Sequence, residues 1–123
     1  LTAADIIPAQ RARARIFHSV ARFFDTHDLL VCPTVAVPPF PVEQRFPTEI
    51  AGEKLTTYID WMFLTFVLTL TGCPVISVPC GLTAAGLPVG IQLVGRPHGD
   101  AALMGQARLI EQALAFEPIM FSA

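Results

Sequence analysis

Hydrophobic positions along the chain fall into segments with different periods. Over residues 5–27, Phe17, Val20, Ala21 and Phe24 recur at i, i+3, i+4 and i+7, one apolar helical stripe, while Arg11, Arg15 and Arg22 lie largely on other faces. Pro8 is tolerated only near a first turn, so the regular helix is expected to begin near Ile7. Leu29 to Cys32 reads as a short strand ended by Pro33. Residues 33–47 hold five of the 11 prolines and must be extended loop, because proline cannot donate to a ladder. A loop of that length in a compact domain is functional or wraps a neighbour.

Residues 56–71 combine β-branched content with helical length and Gly72 as a stop, and read as a helix. Apolar residues on nearly every side from Trp61 to Leu70 predict burial all round. Two strands follow, 74–79 and 88–94, joined by a turn over 81–87. In the second, Val89, Ile91 and Leu93 alternate with Gly90, Gln92 and Val94, a period of two. Asp100 is expected to cap a last helix with Leu103, Ala107, Ile110 and Leu114 on one face. The order helix, strand, long loop, helix, strand, strand, helix predicts an α/β layer architecture. So few strands leave sheet edges and faces open, incomplete as a stand-alone domain.

No side chain is charged from Trp61 to Gly95, a length that raises the question of a membrane span. Gly72, Pro74, Pro79, Gly81, Gly86, Pro88 and Gly90 break the run into short pieces whose bare backbone would be costly in lipid. The pieces read instead as buried strands of an α/β sheet.

Composition sharpens this picture. Charged residues make up 15% of the 123 residues, against a usual ~25%, and hydrophobic residues 53%. A short chain leaves much of its surface wet and should be more polar than average, so part of this surface is expected to be covered by something else. The chain begins at Leu1 and not at Met, which predicts that it is processed, trimmed or cut from a longer chain. A net charge of −2 without a basic run argues against nucleic acid and against an anionic membrane surface. Cys32, Cys73 and Cys80 are odd in number and lack C-x-x-C spacing, which excludes a disulfide framework or zinc site and predicts reduced thiols in a cytoplasmic setting.

No nucleotide, zinc-protease or nucleophile-elbow motif occurs. The glycine pair Gly86 and Gly90 enters a strand and reads as a turn plus a close backbone approach, not as a phosphate cradle. Ser19, Ser77 and Ser122 have no flanking glycines and no base beside them; Ser77 reads as a residue of a buried strand. Lys54, the only lysine, reads as a solvated charge, and His18, His27 and His98 are scattered. Asp60 precedes the uncharged run, where helix-start electrostatics explains it.

Gly72-Cys73-Pro74-Val75-Ile76-Ser77-Val78-Pro79-Cys80-Gly81, followed by Gly86-Leu87-Pro88-Val89-Gly90-Ile91-Gln92-Leu93-Val94-Gly95-Arg96, closely resembles the C-terminal block of the amidase signature family. That block reads G-x-P-x-x-S-V-P-x-G and then G-L-P-x-G-x-Q-x-x-G. The resemblance extends back through Val31-Cys32-Pro33-Thr34 and forward over Asp100 to Leu114 with Glu111, from about Asp5 to Leu114 in all. It implies residues 1–123 as the C-terminal portion of one amidase-type domain, an α/β/α sandwich with a mixed sheet. The family hydrolyses linear carboxamides, or moves ammonia from them, with a Ser–Ser–Lys triad and no cofactor or metal. The triad lies in the N-terminal half of the family's sequence, and no stretch here matches it. No catalytic residue is therefore carried over, and the chain alone is expected to be inactive.

The resemblance places the 33–47 loop and the 60–66 region near the acyl pocket, with Thr34, Trp61 and Phe63 as substrate-binding candidates beside core or interdomain packing as the alternative for each. Relatives commonly carry Asn three residues before the Gly at 72, where this chain has Thr69. Glutamine-using, tRNA-linked relatives tend to carry Asp ten residues before it, where this chain has Met62. Without that carboxylate a free amino-acid ammonium lacks its partner, which favours a general amidase with a fairly apolar substrate; Asp60, two positions away, keeps the amidotransferase alternative open. The expected partners are a small-molecule amide and either the remainder of an amidase chain or a self-associating copy. A non-catalytic module docking by its apolar faces and a membrane-associated piece are the competing readings.

Overall fold

Thr2 sets the start of the first helix. In the computed structural model, which describes residues 2–116, the Asp5 carboxylate accepts from the Thr2 backbone N–H at 2.7 Å and from the Thr2 hydroxyl at 2.9 Å. This cap begins α1 at Ala3, and α1 runs Ala3–Phe23. The start lies four residues before the expected one near Ile7, with Pro8 inside the helix. The cap holds the first turn ahead of Pro8, whose missing N–H costs only one bond at an exposed end. The end is earlier too: Asp25 and Thr26 turn off the helix, and His27 stacks on Phe23 with ring centroids 4.1 Å apart.

β1 spans Leu30–Pro33, and the proline-rich stretch after it is irregular as expected. A small hairpin of β2 (Glu49–Ile50) and β3 (Glu53–Lys54) follows, with Ala51 and Gly52 at positive φ in its turn. Lys54 is exposed there, across from Glu49. A single 3₁₀ turn, Asp60–Met62, leads into α2 (Phe63–Thr69). β4 (Val75–Leu82) and β5 (Pro88–Val94) precede α3 (Asp100–Leu114).

The main sheet has the order β1-β5-β4, and both pairings are antiparallel. Proline explains who sits where. Pro33 and Pro79 lie on edge strands, and Pro88 is the first residue of the central strand, so no proline interrupts the ladder of β5. β4 runs on past the expected end at Pro79, because a bulge at Cys80 takes up one extra residue and lets Gly81 and Leu82 pair with Val89 and Pro88. The turn between the strands is tied by Thr83, whose N–H donates to the Leu87 carbonyl and whose hydroxyl accepts from the Leu87 N–H, with Gly86 at φ 77°.

α3 covers one face of the sheet. Leu103 and Ala107 from the helix pack on Val78 and Leu93, with Leu29, Ile76, Ile91 and Ile110 around them. Leu114, expected on the same face, is 41% exposed. Gly99, not Asp100, holds the N-cap position; Asp100 is the first helical residue, where its charge still complements the helix dipole.

α2 lies against the opposite face, where its Leu64 carbonyl meets Gln92 of β5, so helices flank the sheet on both sides. The expectation that this segment is buried all round does not hold within residues 2–116. No α2 residue is fully buried, and Phe63 and Phe66 are 55% and 40% exposed. A charge-free helix carries the pattern of complete burial, but only one side of α2 finds anything here to pack on. Its β-branched content is accommodated by threonine hydroxyls that donate back along the helix, Thr65 to Met62 O and Thr69 to Phe66 O.

Candidate functional site

The sheet face opposite α3 carries a cavity of about 640 Å³, within the usual range for a small-molecule site. β1 ends where Thr34 turns inward. The Thr34 N–H donates to the Gly90 carbonyl at 3.1 Å, extending the β1–β5 ladder by one bond. The Thr34 hydroxyl shares a 2.7 Å hydrogen bond with the Ser77 hydroxyl on β4. Gly90 on β5 lies beneath this pair. A Cβ there would sit 3.2 Å from each hydroxyl oxygen and 3.2 Å from the Val78 carbonyl oxygen. The close backbone approach expected at Gly90 is therefore present, and its purpose is to leave room for two hydroxyls.

The proline-rich segment from Val35 to Phe40 forms one wall of the cavity, Trp61 another, and Cys80 and Val89 complete the sheet side. Among the described residues, none that lines the cavity carries a charge. Trp61 is held by edge-on contacts to Phe40 and Tyr58, with ring centroids 5.7 and 6.2 Å apart. Its indole N–H is buried and has no hydrogen-bond partner among the described residues.

Gln92 fixes the two walls relative to the sheet. Its side chain is buried, and Nε2 donates to the Pro33 carbonyl and to the Leu64 carbonyl, both at 3.0 Å. One amide thus ties the residue before Thr34 and a residue one turn after Trp61 to the central strand. Asp60 anchors the start of the same helical segment. Its carboxylate accepts from the backbone N–H groups of Thr56 and Thr57 and from both threonine hydroxyls. These bonds, the Thr57 backbone N–H first, lower its pKa from 3.8 to about 2. The helix-start reading of Asp60 is the one the geometry supports.

Of the three residues singled out in the sequence, Thr34 and Trp61 line the same cavity. Phe63 does not: it lies on the exposed side of α2, edge-on to Phe66 at 5.5 Å. Ser77, read as a buried strand residue, is exposed on the cavity side of β4. Neither Ser77 nor Gln92 was singled out for the site, although Gln92 is the only carboxamide side chain in the uncharged run and its alternation with Ile91 and Leu93 put it on the face away from α3. Ser122 lies outside the described residues. Among the described residues no helix is long and apolar enough to cross a membrane. Nor does any group of three or more His, Cys, Asp or Glu side chains come together there to hold a metal ion.

Helices on both faces of an antiparallel sheet, with a cavity built by three motif segments, are a part of the amidase signature fold. A solved bacterial aryl acylamidase of the amidase signature family matches 97% of this chain with a TM-score of 0.80 and 27% identity, over 26% of its own length. The family model described as Amidase matches residues 2–104, and the chain belongs to that family. Among curated relatives, a Glutamyl-tRNA(Gln) amidotransferase subunit of Myxococcus xanthus is 37% identical over 109 residues, 89% of this chain and 21% of the relative. The Acylamidase of Rhodococcus erythropolis is 35% identical over 112 residues, 90% of this chain and 23% of the relative. The chain spans about a fifth to a quarter of the length of these relatives.

Proposed function

We propose that residues 1–123 are the C-terminal portion of one amidase-type domain and act as scaffold and pocket wall for hydrolysis of the C–N bond of linear carboxamides. The observation that carries this reading is the meeting of Thr34, Ser77 and Gly90, from three separate motif segments, on one charge-free cavity. Thr34 and Trp61 are the substrate-facing residues. Phe63, outside the cavity, fits packing against the rest of the domain, as do Ile59 and Phe66 beside it. The catalytic Ser–Ser–Lys triad belongs to sequence outside this chain, so the chain alone is inactive. The enzyme works in the cytoplasm without cofactor or metal. Where the remainder of the domain is missing, a second copy covers the exposed apolar side chains.

The similarity to tRNA-linked amidotransferases supports a second reading, in which the pocket serves glutamine. The uncharged lining favours the first, because a zwitterionic amino acid would meet no counter-charge there. Ammonia release from hexanamide, benzamide and L-glutamine, measured for residues 1–123 and for the complete open reading frame that contains them, tests the proposal. Activity only in the longer polypeptide, with KM raised by substitution of Trp61, is the expected result. Turnover by residues 1–123 alone overturns the placement of the triad, and an inert longer polypeptide leaves a docking module as the better description.

A further inference from the structure

We infer that the Thr34–Ser77 hydroxyl pair is a recognition point for an uncharged ligand group that both donates and accepts a hydrogen bond, of which a carboxamide is the simplest, held in an otherwise apolar cavity. The inference rests on the reading of the cavity as a substrate pocket and specifies what that pocket takes.

Hydrogen-bonding capacity is left over at the pair. Two hydroxyls bring two protons, and the 2.7 Å bond between them uses one. Among the described residues the second proton and the remaining lone pairs meet no partner, and both side chains line the cavity. The pair therefore presents one donor and at least one acceptor within one small area. Gly90 keeps that area open, because any side chain at this position would meet both oxygens at 3.2 Å. The Thr34 N–H is already committed to the Gly90 carbonyl, which fixes the backbone beneath the Thr34 hydroxyl.

The surroundings select charge. Proline, valine, alanine, isoleucine, phenylalanine and tryptophan make up most of the lining, and among the described residues no charged side chain lines it to compensate a carboxylate or ammonium. An ionised group entering would lose water without gaining a counter-ion. A neutral carboxamide loses less, and its carbonyl and N–H match the free donor and acceptor of the pair. An aryl or alkyl group attached to it fills the apolar remainder between Trp61 and the Val35–Phe40 wall.

Trp61 is the chain's only tryptophan, so its emission reports occupancy of the cavity directly. The test titrates residues 1–123 and, in parallel, the complete open reading frame that contains them, where Trp61→Phe isolates the Trp61 signal. The ligands are benzamide, toluene (the same ring without the carboxamide) and L-glutamine, with excitation at a wavelength where none of the three absorbs. It is repeated with the double variant Thr34→Val/Ser77→Ala and with Thr34→Ser. Replacing both partners of a hydrogen bond by apolar groups is close to neutral for folding, so the double variant remains measurable; far-UV circular dichroism checks it. Benzamide affinity is expected to fall about fivefold in the double variant while toluene affinity stays within about twofold. Thr34→Ser, which keeps the hydroxyl, is expected to bind benzamide as the unsubstituted chain does, and L-glutamine is expected to leave the emission unchanged. Equal losses for benzamide and toluene, or no loss for either, overturn the role of the hydroxyl pair while leaving the pocket standing. L-Glutamine binding as tightly as benzamide overturns the selection for neutral groups. Failure of both benzamide and toluene to perturb Trp61, in residues 1–123 and in the longer polypeptide alike, overturns the pocket reading itself.

Discussion

Thr34 and Ser77 are 43 residues apart in the chain, yet their hydroxyl oxygens are 2.7 Å apart across β5. The contact exists because β5 lies between β1 and β4 and because its residue at the crossing point is glycine. Substituting Gly90→Ala places a methyl group 3.2 Å from both oxygens and from the Val78 carbonyl. The carbonyl belongs to the ladder and has little freedom to move, so the hydroxyls must separate. We expect a loss of about 1–3 kcal/mol in urea unfolding, and loss of the benzamide-specific part of the binding. An unchanged midpoint together with unchanged benzamide binding would show that the strands part easily at this point.

Gln92 donates to two carbonyls at once. Gln92→Met fills a similar volume but donates to neither Pro33 O nor Leu64 O, and loses two part-buried hydrogen bonds worth about 0.5–1.5 kcal/mol each. We expect a total of about 1–3 kcal/mol in urea unfolding. Gln92→Glu sets an ionised acceptor against two acceptors and is expected to be worse at neutral pH. The repulsion raises the folded-state pKa of the introduced carboxyl, so the stability of this variant increases as pH falls from about 7 to about 5. Gln92→Met has no such dependence, and flat behaviour in both variants counts against the assigned hydrogen bonds.

The strands and the last helix were legible because their signals are local. Val89, Ile91 and Leu93 alternate with period two, and the prolines that bound these strands obey the edge and first-position rules. The family blocks added the fold. The hairpin at 49–54 was not legible, since Glu49, Glu53 and Lys54 are exposed and leave no apolar alternation to detect. The burial of α2 was overestimated for a physical reason: sequence shows that a helix lacks charge, not whether its partner surfaces are present. Thr34 and Trp61, which the family resemblance singles out in the long loop and the 60–66 region, line one cavity, whereas Ser77 escapes notice because its strand reads as buried on both faces. Its exposure follows from the gap between sheet and proline-rich wall, which depends on packing between distant segments.

Asp60 makes the start of the α2 segment sensitive to acid. Its carboxyl titrates at about 2 in the folded chain, against an ordinary value of 3.8, because four donors from Thr56 and Thr57 favour the ionised form. A lowered carboxylate stabilises the fold at pH values above its unfolded pKa, and that contribution is lost as pH falls from about 4 to about 2. Asp60→Asn retains one acceptor but turns an N–H₂ group toward donors. The difference in unfolding midpoint between the unsubstituted chain and Asp60→Asn is expected to be constant above about pH 4 and to shrink toward about pH 2. A difference that stays constant through this interval would mean that the carboxylate is not held by these bonds.

Gly105 offers a gain in stability that leaves the cavity untouched. It lies inside α3, it is exposed, and a Cβ added there meets nothing within 4 Å. Glycine within a helix costs backbone entropy that alanine does not, so Gly105→Ala is expected to stabilise by about 0.5–1 kcal/mol in thermal or urea unfolding, with benzamide binding unchanged. Destabilisation would indicate that another surface sits against this side of α3.

Trp61 and Phe63 are two residues apart, and the structure separates their roles. Trp61 lines the cavity between Phe40 and Tyr58, whereas Phe63 faces outward beside Phe66. The Trp61 indole N–H is buried without an acceptor, a state that costs roughly 1–3 kcal/mol. Trp61→Phe removes that donor and keeps an aromatic edge for both neighbours. The relief offsets the lost area, and stability should stay within about 0.5 kcal/mol of the unsubstituted chain or rise. Trp61→Ala also loses both ring contacts and opens the cavity, and is expected to cost about 2–4 kcal/mol. Phe63→Ala trims a side chain already 55% exposed and should cost under about 1 kcal/mol in residues 1–123. Because Trp61 is the only tryptophan, the three variants are compared by far-UV circular dichroism in urea. A loss above about 2 kcal/mol in Trp61→Phe would mean that the indole N–H has an acceptor after all. In the longer polypeptide the order reverses for Phe63 if the rest of the domain packs on α2. There Phe63→Ala creates a buried cavity and costs about 3–5 kcal/mol, a change that a free surface at this face would not produce.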